Sequence, residues 1–366
     1  PTILAENCTP PNGALDPGET LTMAFPMRNI GTLNTTNLVA TLLQSNNVAF
    51  PSAPATYGAL LAGGSSVTQA FSFTAGGICG GSIQPVFQLQ DGTTNLGTVN
   101  MPLTLGALVV TTGNYSNATT ITIPTNAPSN TVGPSSPFPS SIIVSGMTNP
   151  VSRVTVTIRG LTHGNGSDVD LLLVGPSGTN VMLMSNCSYE SDVSYAFLTF
   201  DDSAPAMLSE TDPIVTGTYQ PSGYFSSTEI INPPAPNAPF GQQLSVFNGS
   251  NPNGTWSLYV QDNAYYNTGF INQGWALTII SSNRVCCTGM ALPAPQILSI
   301  ALSNSVATLV WSSVPGQTYR LQYNPNLTNI LWSTIGADVI ATNFTTLGTA
   351  TNPGTQSFYR VVAVGH

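Results

Sequence analysis

Residues 164–185 read GNGSDVDLLLVGPSGTNVMLMS, short apolar runs around a GPSGT β-turn. Gly, Pro, Ser and Asn bound each run, which is the punctuation of strands. Two aspartates, Asp168 and Asp170, head the leucine run in a chain of which only 6% is charged. On a strand, residues two apart leave the sheet on one face. A catalytic pair, a metal site and a structural anchor are the roles open to them.

The same pattern recurs outward from this stretch. TLTMAFPMRNIG, NLVATLLQS, SVTQAFSFTA and SIQPVFQLQDG in the first hundred residues all alternate and end on turn residues, and no stretch sustains helical spacing with caps. The expected class is all-β. Breaks fall near residue 106, after VNMPLTLG, and at 283–295, where NRVCCTGMALPAPQ has no apolar period. Three tandem β-sandwiches are expected, at 1–106, 107–285 and 286–366, stacked as a rod.

Composition excludes several function classes. The basic residues are six arginines, 28, 153, 159, 284, 320 and 360, with no lysine and a net charge of -9. No basic stripe exists to meet phosphates or anionic lipid, so nucleic-acid and membrane-surface partners are not expected. Without lysine there is no Schiff base and no Lys–Asn crosslink. No apolar window is long enough for a membrane span. The start at Pro1 fits an export signal already removed. Five cysteines, Cys8, Cys79, Cys187, Cys286 and Cys287, with only two histidines, His163 and His366, point to disulfides in an oxidising, extracellular compartment rather than zinc. Cys8 and Cys79 are expected to link within the first segment. That leaves Cys187 to pair with one of the adjacent couple, or the couple to bond each other.

Three resemblances follow from particular motifs. LDPGETLTMAFPMRNIGTLNTTNLVATLLQ resembles the immunoglobulin-like adhesion modules of bacterial surface proteins. ATLVWSSVPGQTYRLQYNPNL with QSFYRVVAV resembles a fibronectin type III sandwich, with Trp311 as the inward anchor and Tyr319 and Tyr359 on neighbouring strands. Between them, SDVDLLL, GPSGT, LTFDDSA, NGTWSLYVQD and GWALTI occur in order over residues 113–282. This middle segment is similar to the P domain (Homo B domain) of proprotein convertases and its secreted bacterial relatives. The resemblance implies a jelly-roll-like sandwich that accompanies a subtilisin-type catalytic domain without doing the chemistry. No protease domain is present in this sequence.

Catalytic machinery is hard to assemble from these residues. A serine protease needs nucleophile, imidazole and carboxylate. His366 is the last residue, His163 sits in LTHGNGSD as a structural histidine, and no G-x-S-x-G occurs. The cysteines lack the electropositive surroundings of a reactive thiol. Ten of the fifteen acidic residues fall in the middle segment. Clustered carboxylates without basic partners repel unless a cation, solvent or backbone amides compensate. Calcium, a hard ion bound by oxygen, is the expected cofactor, with Asp168 or Asp170 joining Asp201 and Asp202 in one site and Asp262 as a further candidate ligand. The competing reading is that the strand-head aspartates accept loop amide hydrogen bonds.

Trp256 and Trp275 alternate with Leu258 and Leu277 and belong to the core. Tyr265 and Tyr266, adjacent in NAYYNTG, cannot both point inward and are candidate binding residues for a glycan or surface ligand. The function expected overall is a non-catalytic secreted subunit of a surface filament, sheath or adhesive layer, self-associating into a homo-oligomer or polymer through strand edges or the N-terminal strand PTILAE. Its rivals are the accessory region of a secreted subtilisin-like protease and a glycan- or host-binding adhesin.

Overall fold

The structure is a computed structural model describing residues 1–45, 47–124, 132–224, 229–287, 294–328, 331–351 and 356–364. It is all-β. Among the described residues the only helical turns are two short 3-10 segments, Gly166–Asp168 and Leu244–Phe247. The chain forms two compact units, one of Pro1–Leu108 with Arg284–His366 and one of Val109–Asn283. It crosses between them within the strands Ala107–Asn117 and Trp275–Val285. Residues 288–293 of the second sequence break, and His366, lie outside the described residues.

In the middle unit, two large sheets enclose one core. Val151–His163 is flanked by Trp275–Val285 and Val193–Phe200 in the first sheet. Gly254–Asp262 and Asn180–Ser185 flank Val169–Val174 in the second. Trp256, Leu258, Trp275 and Leu277 are fully buried between them, as their alternation requires. The unbroken leucine run also has a physical cause. Leu171 and Leu173 face the sandwich core, while Leu172 packs with Met182, Ile231, Phe240 and Tyr259 on the sheet's other face. A strand covered on both faces reads as a continuous apolar run.

The other unit holds two further cores. In the N-terminal part, Thr20–Met27 and Val67–Ala75 pair in one sheet, and Leu38–Leu43 and Val86–Asp91 in the other. Phe25, Phe71 and Phe87 lock edge to face between them, at 4.8 to 6.0 Å. Thr2–Ala5, expected to dock on a neighbour, pairs with Thr20–Met27 of its own sheet and presents only its outer edge. In the C-terminal part, two three-stranded sheets close on Trp311, Tyr319, Leu309 and Leu321.

The cysteines overturn the expected pairing. Cys8 bonds Cys287 and Cys79 bonds Cys286, while Cys187 is buried and free. Adjacent residues in extended chain point opposite ways, so Cys286 and Cys287 reach different partners instead of each other or Cys187. Gly106 lies against these bridges. Its φ is +87°, and a Cβ there would lie 2.7 Å from Cys286 Sγ and 3.2 Å from Cys79 Sγ. The tandem order expected from the breaks is therefore not the spatial order, because the first and last segments are cross-linked twice within one unit.

Candidate functional site

Asp168 or Asp170 was expected to share a site with Asp201 and Asp202, with Asp262 as a further candidate, and the structure divides the five aspartates among three places. Asp201 and Asp202 follow the strand Val193–Phe200. Phe200 pairs with Val156 and Val193 with His163, so seven residues of strand, about 20 Å, separate the pair from the Asp168 end of the sheet. Asp201 forms an ion pair with Arg153 and accepts from Ser203. Burial raises its carboxyl, but the Ser203 and Arg153 hydrogen bonds outweigh that and hold it below the usual range. Asp202 accepts the backbone N–H groups of Leu244 and Ser245, at 2.8 and 2.7 Å, at the start of a 3-10 turn. Both carboxylates are anchored by these contacts.

Asp168 and Asp170 do not share a face either. Asp168 closes the 3-10 turn Gly166–Asp168, whose cap residue Asn165 accepts from the Ser167 N–H, so strand alternation starts one residue too late to include it. Its carboxylate accepts from Asn165 at 2.8 Å and from Asn267 at 3.2 Å. Burial pushes the carboxyl up, against the pull of the Asn267 bond, and the nearby Asp262 adds to the rise.

Asp262 and His163 meet at one end of the sandwich core, one from each sheet, both side chains fully buried. The His163 Nδ1 lies 2.8 Å from the Asn165 carbonyl oxygen and 3.3 Å from the Asn165 backbone nitrogen. Its Nε2 is 3.3 Å from Asp262 Oδ2, too poorly aligned for a hydrogen bond. No serine, threonine or cysteine is hydrogen bonded to His163 among the described residues.

Asp170 forms the third place. It lies beside Leu172 on the face away from the core. One oxygen accepts from the Gln261 and Asn263 side-chain amides, at 3.0 and 3.1 Å, and the other has no hydrogen-bond partner among the described residues. Burial, then the charge of Glu229, pushes the carboxyl up to about 7. Glu229 itself accepts from Ser185 at 3.2 Å and Asn186 at 3.0 Å. Nothing local in the sequence marks Glu229, which arrives from 59 residues away through the segment that covers this face.

The remaining expected residues are also placed. Burial pushes the Cys187 thiol up to about 12, and its S–H donates to the Ser222 carbonyl at 3.1 Å, so it is an inert core thiol. Tyr265 and Tyr266 are 58% and 76% exposed, with their rings edge to face at 6.4 Å. No helix among the described residues is long and apolar enough to cross a membrane. The two disulfides fit an oxidising environment. Neither the models of known protein families nor the curated protein sequences contain a match to this chain.

Proposed function

We propose that the chain is a non-catalytic secreted structural protein, a subunit of an extracellular filament, sheath or adhesive layer whose copies meet along sheet edges. One observation carries this reading. Thr94–Asn100 and Ile297–Ser303 are both terminal strands of their sheets, both uncharged, and both solvent-exposed, the former over its whole length and the latter at all but Ile297. Soluble monomers guard such edges with lysine, proline or inward charges, and neither strand has any. The buried His163 and the anchoring roles of Asp168, Asp201 and Asp202 support the non-catalytic part. Electron microscopy and light scattering of the purified full chain test it, with polymers or oligomers expected. A monomer at every concentration tried defeats it.

For calcium, Asp170 with Glu229 is the pair we propose, since one buried Asp170 oxygen has no hydrogen-bond partner among the described residues and a second carboxylate lies beside it. Loss of thermal stability in chelator, restored by calcium, is the expected signature. The exposed Tyr265 and Tyr266 favour glycan binding as a second activity, which Tyr265→Ala with Tyr266→Ala is expected to abolish. Secretion beside a subtilisin-type protease follows only from the P-domain resemblance of residues 113–282.

A further inference from the structure

We propose that two copies of the chain join through Ile297–Ser303, antiparallel across a two-fold axis at Ile300, fusing two three-stranded sheets into one of six strands. This rests on the reading of the chain as a self-associating subunit and names the edge that does it.

Among the described residues the strand pairs on one side only, with Val306–Ser312. Its register sets Ile300 beside Leu309 and Leu302 beside Ala307. Directly paired residues point to the same face, and Leu309 and Ala307 are buried members of the sandwich core. Ile300 and Leu302 therefore stand on the core face, yet are 55% and 65% exposed, as is Leu298 at 55%. Ile300 and Leu302 belong against an opposing sheet yet are more than half exposed, and Leu298, at the bulge between Ile297 and Ser299, is exposed beside them. Apolar side chains in that condition mark an interaction surface.

The sequence ILSIALS specifies the occupant. With the axis at Ile300, each Ile300 faces its counterpart, Leu298 faces Leu302 of the second copy, and Ser299 faces Ala301. Large apolar residues are thereby set opposite large ones and small ones opposite small ones. No charge occurs in Ile297–Ser303, Val306–Ser312 or Thr345–Thr351, so two copies of this sheet approach without repulsion. No proline removes a ladder donor from the edge. A charged or proline-bearing foreign strand matches this edge less well than a second copy does.

Cysteine cross-linking tests the register. Facing residues of an antiparallel pair have Cα atoms about 4.5–5.5 Å apart, within reach of a disulfide. Ile300→Cys is expected to give a covalent dimer in air, whereas Ser303→Cys, six residues out of register with its counterpart, is not. Ile300→Lys, at an exposed position, is expected to keep the wild-type melting temperature and weaken association roughly tenfold or more. If wild type associates, Ile300→Lys associates equally well and Ile300→Cys gives no cross-link, this edge is the wrong one while assembly through another stands. If wild type never associates, both proposals fall.

Discussion

Asp170 shows how much one residue's setting governs. Its carboxyl titrates near 7 in the fold and near 3.9 in an unfolded chain, so the folded state binds the extra proton between those values. Stability contributed by the protonated form is complete below about pH 4 and declines as pH rises to about 7. Three pKa units correspond to roughly 4 kcal/mol. Asp170→Asn should remove that slope and raise stability at pH 8, read from urea melts at pH 5 and 8 in chelator. A slope that survives the substitution assigns the proton elsewhere. His163→Ala works in the opposite direction. It removes a fully buried side chain from the core beside Asp262, and equilibrium unfolding should show a loss of about 2–5 kcal/mol. The sequence showed these carboxylates as a cluster. It did not show that Arg153 takes Asp201, that Glu229 approaches Asp170, or that Asp168 lies in a turn, because the first two contacts are set by tertiary topology and the third by a cap at Asn165.

At the scale of the element, strand reading succeeds where the signal is local. Leu38–Leu43 alternates buried and half-buried along its length, and Trp256, Trp275 and Trp311 are all fully buried, because period-two patterning is written in neighbouring residues. Edge status is not local. Ile297–Ser303 reads like any core strand, and only the sheet order reveals that half of its apolar face is open. The small C-terminal core makes its anchor costly to lose. Trp311→Ala should destabilise that part by about 3–5 kcal/mol, seen as a lowered transition for the unit containing it while the middle unit's transition stays put. Equal shifts in both transitions contradict that separation.

For the whole molecule, the two disulfides are the feature least readable from sequence. Spacing offers no guide to bridges spanning 279 and 207 residues, and the tempting short link between Cys8 and Cys79 is absent. Both bridges lie in the unit built from the chain's two ends. Calorimetry should therefore resolve a transition that falls on reduction, by about 2–5 kcal/mol per bridge lost, and another indifferent to reductant. A single transition that moves as a whole argues against independent units.

The strands Ala107–Asn117 and Trp275–Val285 carry the polypeptide out of the bridged unit and back. Any scission between residues 109 and 283 leaves Cys8 and Cys79 on one fragment and Cys286 and Cys287 on the other. The severed pieces remain tethered, migrating as one species on a gel without reductant and as two with it. A chain wired in this way tolerates backbone cleavage in nearly half its length without shedding either terminus.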